Sequence, residues 1–124
     1  MFEIEIKDTM YQFNFGLGFM READSKLQSK PDQNGVTQNI GLRYMIAGIM
    51  DGDCTKLSDA LLLANKGFVP RLSQKDLDAY LEDEGTDIDK VFDDAMGFLK
   101  AANATKKTVA ELEKAIAESV QTEK

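Results

Sequence analysis

Ile40-Gly41-Leu42-Arg43-Tyr44-Met45-Ile46-Ala47-Gly48-Ile49-Met50 carries one charge, Arg43, and is apolar or small on every helical face. A helix that is greasy all round has to be wrapped. The run falls short of the roughly twenty apolar residues that a bilayer crossing needs, so the wrapping must come from protein. The stretch therefore predicts a central helix, and the rest of the sequence reads as its coat.

Upstream, Phe2-Glu3-Ile4-Glu5-Ile6-Lys7 and Met10-Tyr11-Gln12-Phe13-Asn14-Phe15 alternate apolar and polar residues, the period-two pattern of half-buried strands. Asp8-Thr9 suits a two-residue turn between them, giving a β-hairpin whose apolar face carries Phe2, Ile4, Ile6, Tyr11, Phe13 and Phe15. A lone hairpin is marginal in water, so this face must rest on helices. After Gly16-Leu17-Gly18, helical spacing resumes at Phe19, Met20, Ala23 and Leu27, through about Gln28. Pro31 and Asn34-Gly35 mark a loop, and Thr37 is expected to cap the central helix.

Downstream, Asp51-Gly52-Asp53 ends that helix, and Leu57, Ala60, Leu61 and Ala64 define the inner face of the next, with Leu62 and Leu63 widening it. Gly67 and Pro70 stop the pair. Ser73-Gln74-Lys75-Asp76 reads as a cap for a short helix carrying Leu77, Tyr80 and Leu81. Gly85 closes it, and Thr86 or Asp87 caps a stronger helix in which Ile88, Val91, Phe92, Ala95, Met96, Leu99 and Ala102 share a face. A final helix starts at Thr105 or at Thr108, where Thr108-x-x-Glu111 has capping-box form. Its narrow stripe is Val109, Leu112, Ile116 and Val120, with Glu111, Glu113, Lys114 and Glu118 free to face water. The expected class is α+β, mostly α: an N-terminal β-hairpin packed on a bundle of about five to six helices. We expect one domain over residues 1–124, with the hairpin at 1–15, a helical core at 16–103 and a C-terminal helix at 104–124 that either frays or docks on a partner.

Composition narrows the function. The 22 acids against 15 bases give a net charge of −7, and the isoelectric point is near 4.6. Such a chain repels phosphate backbones and anionic lipid, so neither nucleic acid nor membrane is an expected partner. The single Cys54 makes no internal bridge, and the N-terminus lacks a basic leader, so we expect no secretory signal and a reducing compartment. The absence of histidine removes the commonest general base and metal ligand. The acids at Asp83, Glu84, Asp87, Asp89, Asp93 and Asp94 lack the alternating oxygens, glycine and distal glutamate of a calcium loop, and read as solvated helix starts. Asp51 and Asp53 read as turn residues. Gly16-Leu17-Gly18 opens like a nucleotide fingerprint, but Arg21 stands where glycine is needed and the preceding strand belongs to a hairpin. The glycines instead let strand turn into helix, with Phe15 packing on Phe19. Lys100, Lys106 and Lys107 make too small a basic spot for nucleic acid. Met20, Met45, Met50 and Met96 fall on apolar faces, as core filler or as adaptable contact surface. No catalytic residue, metal or cofactor is expected, and the chain is not expected to be an enzyme.

Phe13-Asn14-Phe15-Gly16-Leu17-Gly18-Phe19-Met20-Arg21-Glu22, Leu57-Ser58-Asp59-Ala60, the segment from Pro70-Arg71-Leu72-Ser73 to Tyr80-Leu81-Glu82, and Asn103-Ala104-Thr105-Lys106-Lys107 occur in that order. Together they resemble the tail assembly chaperones of long-tailed bacteriophages of Gram-positive hosts, from the hairpin to about Lys107. The resemblance implies a small protein in the cytoplasm of the bacterial host. It would coat the tape measure protein while the tail tube polymerises, with the tail tube protein as a further partner, and be absent from the finished virion. Such families commonly also make a longer, frameshifted form, of which this sequence would be the short version. The expected binding surface is the strand-to-helix turn at Phe15, Leu17 and Phe19 together with Val109, Leu112, Ile116 and Val120. A homo-oligomer, as rings or helical stacks, suits a coat. The alternative is a small cytoplasmic adaptor whose last helix docks on one folded partner.

Overall fold

The computed structural model describes residues 2–122, and side chains through residue 119. Among them lie two strands, β1 (Phe2–Ile6) and β2 (Thr9–Phe13), and six helices: α1 (Leu17–Ser25), α2 (Gly41–Met50), α3 (Cys54–Asn65), α4 (Gln74–Glu82), α5 (Ile88–Ala101) and α6 (Lys106–Thr122). The class is α+β, mostly α. One cluster of buried side chains is fed by the hairpin and by all six helices, down to Leu77 of α4 and Val109 of α6.

The strands pair antiparallel, with Phe2 opposite Phe13, Ile4 opposite Tyr11 and Ile6 opposite Thr9. The turn is Lys7-Asp8, one residue before the expected Asp8-Thr9, with φ of 50° and 67°. Two positive φ values make the mirror-image turn that matches strand twist. Moving the turn by one residue shifts each cross-strand partner by two, which leaves the same side chains facing inward. Alternation alone therefore cannot choose between the two turns. Ile4, Ile6, Tyr11, Phe13 and Phe15 are buried and Phe2 is half-buried.

Helix α1 stops at Ser25 rather than near Gln28, and Leu27 is exposed. The residues that follow turn back into a short ladder, in which the amide of Ile40 donates to the Leu27 carbonyl at 2.8 Å and that of Ser29 to the Gln38 carbonyl at 2.8 Å. Thr37 does not cap α2. That helix starts at Gly41, and its Leu42 amide donates to the Asp24 carboxylate of α1 at 3.1 Å. Gly41 is required there, because a Cβ would run into the Ala23 carbonyl where the two helix backbones touch.

The expectation that α2 is wrapped on all sides needs correction. Leu42, Met45, Ile46 and Ile49 are buried, whereas Arg43 and Tyr44 are exposed and Ala47 and Gly48 half-buried. The outer face of α2 is made of small residues and an amphipathic aromatic, which tolerate partial contact with water, and the aliphatic stem of Lys56 lies over Gly48.

In α3, capped by Asp53, the residues Leu57, Ala60, Leu61 and Ala64 are buried as their spacing predicts. Its last residue, Asn65, is fully buried. Its amide nitrogen donates to the carbonyls of Gln12 (2.9 Å) and Pro70 (3.4 Å), and its oxygen accepts from the Arg71 guanidinium (3.1 Å) and the Leu72 amide (2.6 Å). Leu72 is thereby held in the core. Ser73 caps α4 and Asp87 caps α5, while Thr86 uses its hydroxyl to donate to the Tyr80 carbonyl at 2.7 Å. Val91, Ala95 and Leu99 form the buried stripe of α5, and Phe98, off the expected face, stacks on Phe2 with ring centroids 4.6 Å apart. Helix α6 follows the buried Thr105, whose hydroxyl donates to the Leu99 carbonyl at 2.6 Å. Thr108 and Glu111 are thus interior to the helix and form no capping box. Glu111 and Glu113 are not simply free in water: they pair with Arg43 at 3.1 Å and with Lys100 at 3.5 Å.

Asn65→Ala leaves the Leu72 amide and the Gln12 carbonyl without a partner away from water, and is expected to cost about 3 kcal/mol in urea unfolding. Gly41→Ala should cost at least ~2 kcal/mol by the same measurement, although alanine is the better helix former.

Candidate functional site

At the strand-to-helix turn, Phe15 and Phe19 meet edge to face with centroids 5.0 Å apart, and both are buried. Of the three residues expected to bind there, only Leu17 faces solvent, at 57% exposure. It borders an open cleft of about 560 Å³, with Phe2 and Asn14 on one side and Asn103 and Ala104 of the α5–α6 turn on the other. The turn thus offers one exposed leucine and a partly polar cleft.

The α6 stripe is graded. Val109 is buried, Leu112 half-buried and Ile116 49% exposed. The side chain of Val120 lies outside the described residues. Leu112 borders a depression of about 380 Å³ with Ile40, Tyr44 and Ala47. Ile116 borders a second, of about 600 Å³, with Tyr44, Ala47, Gly48 and Met50. Sharing Tyr44 and Ala47, the two form one furrow between α2 and α6, mostly apolar along its length and bordered by the charged Asp51, Asp53 and Lys56 at the Ile116 end. Sequence reasoning found the α6 wall and missed the α2 wall, because Tyr44 and Ala47 were read as core. The available signal was that Ile40, Tyr44 and Ala47 lie four and three residues apart, on one helical face away from the Leu42–Ile46–Ile49 stripe. The exposed Arg43–Glu111 ion pair links the two walls; a pair this wet contributes at most about 1 kcal/mol.

Among the described residues, no three His, Cys, Asp or Glu side chains gather as a metal site, and no buried side-chain nitrogen or oxygen lacks a hydrogen bond. The acids on and before α5 are divided in their roles. Asp83 accepts from the Gly85 amide, Asp87 caps the helix, and Asp94 binds Lys90 at 3.0 Å. That hydrogen bond to Asp94, with its charge, raises the Lys90 ammonium above its ordinary 10.5. A lysine shifted upward adds stability that is fully present below the ordinary value and is lost as pH rises through the shifted one, so the Lys90–Asp94 pair lends its stability throughout the neutral range. No described helix is long and apolar enough to cross a membrane.

These features define a hairpin-capped helical protein whose distinctive surface is an apolar furrow between two helices. The family model for Phage tail assembly chaperone protein, TAC, matches residues 3–114, from β1 into the first half of α6, and the chain belongs to that family. No curated protein and no solved structure was found to match it.

Replacing the furrow residues Tyr44 or Ile116 by serine is expected to change unfolding stability by less than about 0.5 kcal/mol, as for ordinary surface sites. Val109→Ser, at the buried root of α6, should cost about 3 kcal/mol through lost packing and a buried hydroxyl. Urea titrations of the three variants separate furrow from core.

Proposed function

We propose that this protein binds the tape measure protein and keeps it soluble while the tail tube assembles, and that it leaves before the virion is complete. The observation that carries this reading is the family match over residues 3–114. The furrow gives the reading a physical means. A long helical chain that exposes apolar faces before the tube encloses it is prone to aggregate. A holder for it needs apolar grooves, a soluble charged exterior and no chemistry. The furrow runs along α2 from Ile40 to Met50, a length of about 15 Å at helical rise, enough for some three turns of a bound helix. The reading includes action in the host cytoplasm without catalysis, as one domain, with the tail tube protein as a secondary partner and a homo-oligomeric coat along the bound chain.

Leu17 at the β2–α1 turn, and Leu112 and Ile116 in the furrow, are the proposed contacts, with Tyr44 and Ala47 added from α2. Phe15, Phe19 and Val109 support them from the core. The adaptor alternative needs a free α6 stripe. Here Val109, the root of that stripe, is buried in the chain's own body, and no observation favours the adaptor.

Co-expression with the cognate tape measure protein is expected to move the latter from pellet to supernatant, and the Tyr44→Glu/Ile116→Glu double variant to fail while remaining folded. Equal precipitation with and without the chain would refute the proposal. Recovery of a folded enzyme or receptor in place of a tail component would favour the adaptor.

A further inference from the structure

A second apolar groove, of about 690 Å³, lies where the α2–α3 turn meets the outer edge of α5. Its walls are Met50, Ile88, Phe92 and Met96, all half-buried, and its lining holds two carboxylates and no cation. Ile88, Phe92 and Met96 recur every four residues along α5, and Asp89 and Asp93 form a parallel row one position on. Both aspartates are exposed and, among the described residues, neither is held by a hydrogen bond or ion pair, whereas their neighbour Lys90 is taken up by Asp94. Three physical features coincide. The floor is apolar and includes two flexible thioethers, which adapt to varied side chains. The rim carries uncompensated negative charge. The aspartates are spaced one helical turn apart, about 6 Å along the axis, the spacing at which a partner helix presents residues on one face.

We propose that this groove docks a cationic amphipathic helix of a polypeptide partner, its apolar stripe on Met50, Phe92 and Met96 and its lysines or arginines, four residues apart, against Asp89 and Asp93. The groove shares Met50 with the end of the α2–α6 furrow but its other lining residues, Asp89 and Asp93 included, lie outside the furrow, and the proposal does not depend on what the furrow binds.

Cys54, the chain's single cysteine, is exposed in the groove lining and serves as a built-in reporter. The probe is an alanine-based helical peptide of about sixteen residues with a leucine stripe flanked by lysines, long enough to hold a helix. Its control has glutamate in place of every lysine. Calorimetric titration at low salt should give at least about tenfold tighter binding of the lysine peptide, with the preference shrinking as salt is raised. Bound peptide should slow alkylation of Cys54. Because the whole chain is negative, any cation gains something on approach, so location is tested with Asp89→Asn/Asp93→Asn. These exposed, unpartnered positions are expected to leave the fold intact by thermal melting, and the variant should bind the lysine peptide about three- to tenfold more weakly. Equal affinity for the two peptides, an unchanged Cys54 alkylation rate, or undiminished binding by the variant would each overturn the proposal. Tape measure solubility is read separately, so failure of one proposal leaves the other standing.

Discussion

The Asn65 amide, fully buried at the end of α3, uses both its donors and both its acceptor positions on two separate pieces of chain, β2 and the segment Pro70–Leu72. A buried amide has to satisfy its polar groups within the protein, so its neighbours are held to one arrangement. The bond to Gln12 fixes β2 on α3, which also lets the Asn14 amide reach the Ala64 carbonyl at 2.8 Å. The bond from Leu72 turns the segment leading to α4 inward. Arg71, held by the same amide oxygen, donates in addition to the Leu62 carbonyl at 2.8 Å, satisfying a group the helix end leaves open. The hairpin's apolar face thus reaches the helical core through polar bonds at the C-terminal end of α3 as well as through packing.

The elements that periodicity describes were legible in the sequence, and those that depend on a tertiary partner were not. Leu57, Ala60, Leu61 and Ala64 announce α3, and Val91, Ala95 and Leu99 announce α5, because a stripe at helical spacing has one reading. The caps at Ser73 and Asp87 were legible because the bonded amide lies three residues away. The cap of α2 was not, since it comes from Asp24 on another helix. The hairpin turn was ambiguous for a specific reason: both candidate turns keep the same face inward. Of the two expected starts of the last helix, Thr105 is the one that directly precedes α6, and its hydroxyl goes back to the Leu99 carbonyl, a bond that only the α5–α6 turn brings within reach.

The candidate site shows the same division. The graded stripe of α6 follows from spacing, but the opposing wall does not, because hydropathy cannot tell a residue buried by neighbours from one left partly bare. Phe15 and Phe19 are large, aromatic and next to a glycine-marked turn, which suits either a contact surface or a core wedge. Their mutual packing, with Phe2 and Phe98 alongside, places them in the core.

The α2–α6 furrow is walled unequally, and this bears on what it can hold. Helix α2 is anchored by a buried stripe, a cap from Asp24 and a glycine contact with α1. Helix α6 is rooted at Val109 and Leu112, and every side chain from Glu113 to Ser119 is exposed. Its ion pairs to Arg43 and Lys100 lie in water, where each is worth about 1 kcal/mol or less. A segment of chain with few buried contacts opens locally at lower cost than the fold as a whole. One wall is therefore fixed by buried contacts along its length, whereas the buried contacts of the other are concentrated in its first two turns. On the proposed function, such a furrow can widen for a large side chain or close on a small one without disturbing the core. A chaperone that grips many successive segments of one long chain needs that tolerance more than it needs a tight fit to any single sequence.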